Sequence, residues 1–123
     1  MQQTQILTYG LTGIAVEGLR DLTTARRIWL RETHQLSACQ NLLQAAPTIL
    51  IVQLGRDLVQ ELALVGLAHE CVPGSAIIVI GETDSAGLAG LAWEFSAAYV
   101  LLPPTPVERL NEIVSFMLRE PTP

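Results

Sequence analysis

The chain is predicted to fold as a three-layer α/β domain, with a doubly wound, five-stranded parallel sheet in the order 2-1-3-4-5. Three observations predict it. Apolar runs of strand length alternate strictly with longer stretches of helical period. The middle runs are apolar on both faces, as strands buried between two helical layers must be. No internal repeat or linker breaks the alternation, so right-handed crossovers should place helices on both faces of one sheet.

The elements follow in order along the sequence. Gln5 to Tyr9 opens as a strand. Ala15 to Arg26 sets Val16, Leu19, Leu22 and Thr23 on one helical face. Arg27 to Arg31, with Ile28, Trp29 and Leu30, is a short second strand. Thr33 is placed to cap a helix from His34 to Ala45, with Leu36, Cys39, Leu42 and Leu43 inward and Pro47 ending it. Thr48 to Val52 is β-branched and apolar, a central strand. Asp57 to Cys71 is the third helix, closed by Pro73-Gly74. Ala76 to Ile80 repeats the buried-strand pattern. Ser85 to Ser96 is an Ala/Gly-rich helix weakened by Gly87 and Gly90, and Ala98 to Leu102 is the last strand. Thr105 then caps a helix through Arg119, with Pro106 at its first position and Glu108 at capping-box spacing. Residues 1–120 are expected to form one domain, with 121–123 a loose tail or the start of a linker.

Half of the residues are apolar and 15% are charged, enough for one core and against disorder. The longest apolar runs are too short to cross a bilayer, so no membrane partner is expected. Met1 to Gln5 has no basic region followed by an apolar stretch, so a secretory signal is not expected and a cytoplasmic location is. The formal charge is −5 and every basic residue is arginine. An acidic surface without a basic stripe argues against a nucleic-acid partner, whose affinity depends on neutralising phosphates.

Catalytic constellations are not visible. Cys39 and Cys71 are far apart, each on the apolar side of a helix, and are expected to be buried core thiols. His34 and His69 are expected at helix ends, and Ser37, Ser85 and Ser96 have no base beside them. Asp57, Glu82 and Asp84 fall at the C-terminal edge of the sheet. Asp57 and Asp84 fit helix N-caps better than a metal site, so no metal and no cofactor are expected. Tyr9-Gly10-Leu11-Thr12-Gly13 lies where phosphate loops lie. It lacks the third glycine of a dinucleotide fingerprint and the Gly-Lys-Ser/Thr of a P-loop, and reads as a sharp turn or a weak anion pocket.

Several stretches resemble the response-regulator receiver family. Ile6 to Arg20, including Glu17-Gly18-Leu19-Arg20, is similar to the receiver opening. Pro47 to Leu54 is similar to the third strand, and Ala97 to Leu110 to the fifth strand, its proline turn and the start of the fifth helix. The resemblance implies an aspartate nucleophile ending the third strand, an acidic pair holding Mg²⁺ after the first, a hydroxyl after the fourth and a lysine after the fifth. Carried onto this sequence, the aspartate position holds Gln53. The acidic pair falls at Gly10 and Leu11, with Thr12 next, the hydroxyl at Gly81, and the lysine at Pro103, followed by Pro104. The aromatic switch position holds Val100, with Tyr99 one place early. An amide is too poor a nucleophile to accept a phosphoryl group, and no lysine exists to replace the one missing at Pro103.

The resemblance therefore implies a degenerate, pseudo-receiver-like domain that is not an enzyme and acts through an unknown protein partner. Trp93 and Phe95, two apart in a helix, point in different directions, so one should be exposed. Together with Tyr99 and the outer side of Leu110 to Met117, they mark the fourth helix, fifth strand and fifth helix as a face for a homodimer or a partner. The alternative is a small-ligand sensor or minor enzyme around Gly10, Gln53, Gly81 and Glu82, since a buried amide needs partners.

Overall fold

Successive strand residues point to opposite faces of a sheet, and in this chain they feed two separate cores. In a computed structural model, which describes residues 4–55, 57–81, 86–94, 97–101 and 109–118, Leu7, Leu50, Val52, Ile77 and Val79 face one layer. Ile6, Ile49, Ile51, Ile78 and Ile80 face the other. The strands are β1 (Gln5–Tyr9), β2 (Trp29–Thr33), β3 (Ile49–Gln53), β4 (Ala76–Ile80) and β5 (Tyr99–Leu101). All neighbours are parallel, in the expected order β2-β1-β3-β4-β5.

The helices are α1 (Ile14–Arg26), α2 (Leu36–Leu43), α3 (Leu58–Cys71), α4 (Ala86–Glu94) and α5 (Arg109–Leu118). Ala15, Val16 and Leu19 of α1 share a core with Leu110, Ile113 and Val114 of α5. Cys39 and Leu43 of α2, Leu64 and Val65 of α3 and Ala92 of α4 fill the opposite one. Gly18 lets α1 approach α5 closely, since a Cβ there would come within 2.8 Å of the Asn111 amide nitrogen. Among the described residues, no helix is long and apolar enough to cross a membrane.

Several boundaries correct the sequence expectations. The second strand is Trp29–Thr33, not Arg27 to Arg31, because Arg27 ends α1 in the left-handed region (φ 56°). The Arg27 N–H returns to the Thr23 and Thr24 carbonyls, and the Ile28 N–H to that of Thr23. Thr33 is not a helix cap. It is the buried last residue of β2, and its hydroxyl donates to the Thr8 carbonyl at 2.6 Å. The second helix consequently shortens to Leu36–Leu43, with Gln35 at its N-cap, and His34 is exposed in the preceding loop. The third strand runs one residue further, to Gln53. Asp57 does cap α3, accepting from the Gln60 N–H at 3.2 Å. The expected caps Asp84 and Thr105, with Pro106 and Glu108, lie outside the described residues.

The cysteines differ from each other. Cys39 is buried and Cys71, at the last position of α3, is exposed. Burial pushes the Cys39 thiol up, partly offset by a hydrogen bond with Thr33. A chromogenic disulfide reagent should therefore titrate one thiol in the native chain and the second only on unfolding. Two rapidly reacting native thiols would contradict the packing of α2.

One bidentate ion pair ties α1 to the β2 edge. Arg20 donates to both carboxylate oxygens of Glu32 at 2.7 and 2.8 Å. The hydrogen bond from Arg20 holds the Glu32 carboxyl below its ordinary value. A depressed folded value means the pair stabilises above the unfolded carboxylate pKa, and that contribution is lost as pH falls through the folded one. Glu32→Gln is thus expected to be less stable than wild type at neutral pH, with the gap closing in acid. Denaturant midpoints at pH 7 and pH 3 check this.

Candidate functional site

Three strands end on loops that meet at the C-terminal edge of the sheet, where open α/β folds bind ligands. After β1 the chain turns at Gly10 (φ 75°) and Gly13 (φ 69°), conformations that glycine takes without a Cβ penalty. The Gly10 N–H donates to the Thr33 carbonyl at 2.9 Å, binding this turn to the end of β2. Leu11 turns its side chain into the α1/α5 core and Thr12 faces solvent. At the end of β3, half-buried Gln53 presents its amide oxygen to the Thr12 N–H at 3.1 Å. The β3 strand and the β1–α1 loop are thereby held together by a neutral group.

The β3–α3 loop is organised by a residue that the sequence reading missed. Glu61 sits in the first turn of α3 and is only 3% exposed. Its carboxylate accepts from the Gly55 N–H at 2.9 Å and the Asp57 N–H at 3.3 Å. Gly55 itself has a φ of 144°. The spacing Asp57-x-x-x-Glu61 was the available signal, because it puts an acid within reach of the amides ahead of a helix.

Between these loops lies a polar cleft of about 200 Å³ lined by Tyr9, Gly10, Thr12, His34, Gln53, Asp57 and Glu61. Of the positions expected to mark the site, Gly10 and Gln53 meet here. The Leu11 side chain does not, and buried Gly81 is not in the lining; its N–H donates to the Leu101 carbonyl at 3.0 Å. Pro103 and Glu82 lie outside the described residues. Among the described residues, the carboxylates lining the cleft, Asp57 and Glu61, are both engaged by backbone N–H groups. Among the described residues, no group of three or more His, Cys, Asp or Glu side chains is placed to hold a metal ion.

No family model and no curated protein matches the chain. Solved structures do. The chain superimposes on a CheY-like response regulator receiver domain protein from Methanospirillum hungatei JF-1 with a TM-score of 0.79, at 12% identity over 97% of this chain and 96% of that one. The receiver domain of NtrC4 from Aquifex aeolicus gives 0.75 at 16% identity, covering 96% and 98%. An orphan response regulator of H. pylori gives 0.77 at 14% identity, covering 94% and 97%. This is a response-regulator receiver fold. The likeness covers nearly the whole chain, including all five strands in their order.

The side chains named for the α4–β5–α5 face differ in exposure. Trp93 is 53% exposed, and Tyr99 and Leu91 are also exposed. Phe95 lies outside the described residues. Leu110 is a correction: at 1% exposure it belongs to the core, and Met117 packs partly buried against the same core. The large apolar residue of α5 that faces outward is Phe116, 69% exposed. Helical spacing explains the exchange, because Leu110, Ile113, Val114 and Met117 form one stripe and Phe116 falls off it.

Proposed function

We propose that this domain is a phosphorylation-independent signalling or scaffold module, a receiver frame that works by protein–protein contact and not by accepting a phosphoryl group. The observation that carries the reading is Gln53. It ends β3 in the position the resemblance gives to the aspartate nucleophile, and its amide oxygen is used to hold Thr12. An amide neither attacks phosphorus nor contributes charge for Mg²⁺. Gly10 and Gly81 offer no side-chain oxygen, Leu11 is sequestered in the core, and the sequence has no lysine for the position at Pro103.

Exposed aromatic side chains at Trp93, Tyr99 and Phe116 support the contact role, since aromatic residues are enriched in interface cores. A two-dimensional amide spectrum titrated with Mg²⁺ and then beryllofluoride tests the phosphoryl half. No saturable shifts at Gly10, Gln53 and Gly81 are expected, and saturable shifts there would overturn it. Gln53→Asp alone is expected to leave acetyl-phosphate labelling at background, because the cation-binding pair and the lysine stay missing.

A second reading, a small-ligand sensor, draws on the polar cleft beside Gln53. At about 200 Å³ it is below the usual range of about 300–1,000 Å³ for organic ligand sites, which favours the contact reading.

A further inference from the structure

The two edges of the sheet carry opposite chemistry. Residues 1–53 hold four arginines and three acidic residues, whereas residues 54–123 hold three arginines and nine acidic residues. Among the described residues, Arg20, Arg26, Arg27 and Arg31 cluster on α1 and the outermost strand β2, whereas α4 and α5 beside the other outermost strand, β5, carry Glu94, Arg109 and Glu112. At the β2 edge Arg20 is paired with Glu32, and Arg26, Arg27 and Arg31 are all exposed within six residues of one another. The overall acidity of the sequence hid this local basic edge. Trp29, the first residue of β2, is 50% exposed, and the Arg31 guanidinium lies 5.2 Å from the centre of its ring. Trp29 and Arg31 share one face of the strand, so the stack presents a flat cation–aromatic pair.

The opposite edge supplies the complement. Asn111 faces Gly18 of α1, while Leu110, Ile113 and Val114 face the sheet. On the helical wheel, that directs Phe116 to the flank of α5 away from α1, with Glu112 beside it on the outward surface of the helix. They flank a depression of about 440 Å³ that also includes Asn111 and Ser115. Arg109 sits 3.5 Å from Glu112 and offsets it in part, and exposed Glu94 ends α4, which lies beside β5 on the other face of the sheet. Strand direction aligns the patches. Trp29 and Tyr99 both begin their strands, and Phe116 lies in the C-terminal half of α5, so both patches lie toward the N-terminal end of the sheet.

We propose that the β2 edge of one copy docks on the α4–β5–α5 edge of a second copy, with Trp29 against Phe116 and Arg31 against Glu112. It rests on the contact reading above for the use of that face, and adds the occupant. Two different patches meeting make a head-to-tail contact, so the assembly extends beyond a dimer unless the rotation closes a ring.

Sedimentation velocity on the full chain tests it. Mass should rise with concentration past the dimer at low salt, and fall back in about 0.5 M salt, where the screening length is about 4 Å. Arg31→Glu and Glu112→Arg should each weaken association by about tenfold or more, since each sets like charges together. An equimolar mixture of the two should restore it, because each variant's altered edge meets the other's altered edge. Trp29→Ala should weaken it without changing charge.

A chain monomeric at every concentration in low salt overturns the proposal. So does loss through Glu112→Arg but not Arg31→Glu, which would mean a symmetric α5 contact, and so does a mixture that fails to restore association. None of these outcomes touches the beryllofluoride result, so the phosphoryl reading stands or falls separately.

Discussion

Ile78→Ala is expected to cost about 2–5 kcal/mol, a large share of the roughly 5–15 kcal/mol that holds a domain of this size together. Ile78 is the middle residue of β4 and is fully buried. Its backbone is paired with Ile51 of β3 on one side and Tyr99 of β5 on the other. Its side chain packs in the core shared by Leu19 of α1 and Leu110 of α5. Truncation removes three carbons there, and the strand ladders on both sides prevent the sheet from closing over the space. The cost therefore includes a cavity term besides the lost transfer energy. Val59→Ala, at an exposed position of α3, is the control, with an expected change within about 0.5 kcal/mol. Urea midpoints at constant slope report both. A change below about 1 kcal/mol for Ile78→Ala would mean that the two helical layers do not close on β4 as described.

The same burial explains why so much of the fold was legible. Thr48 to Val52 and Ala76 to Ile80 are apolar on both faces, and a strand with no polar face has to lie between two helical layers. Once those two were central, strict alternation left few arrangements for the other elements. What escaped was set by single side chains acting against their usual preferences. Arg27 takes a left-handed conformation that sequence reasoning assigns to glycine or asparagine, and so the second strand starts two residues late. Thr33 has the chemistry of a cap, but satisfies a strand carbonyl instead.

The site was legible only in part, for a related reason. Gly10 and Gln53 stood out as departures from a resemblance, and the cleft does bring them together. Phe116 lay within the span Leu110 to Met117 without being singled out, although the stripe of Leu110, Ile113 and Val114 already excluded it from the core. Glu61 was missed because an acid early in a helix is ordinarily read as a solvated residue favouring the helix dipole. Its neighbours Leu62, Leu64 and Val65 belong to the core, and nothing in their spacing announces that the acid among them is buried as well.

Glu61→Leu is accordingly the second large effect, expected to cost about 2–4 kcal/mol, because it strips the acceptor from two backbone N–H groups while keeping the side chain's bulk. The carboxylate holds Gly55 and Asp57 with separate oxygens, so its loss orphans donors on both sides of the turn ahead of α3. Glu61→Gln separates charge from geometry. An amide has one acceptor oxygen, so it keeps one of the two bonds and sets its NH₂ against the other donor. It should therefore also destabilise, by less than leucine. Amide exchange at Gly55 and Asp57 should accelerate in both variants ahead of exchange in β3, because the loop opens before the sheet does. Wild-type exchange in either variant would show that the loop is held by its own backbone. The outcome also bears on the cleft: Gly55, Asp57 and Glu61 line it together with Gly10 and Thr12. A buried acid committed to that lining is a structural support, which is a further reason to look to the molecule's edges for its partners.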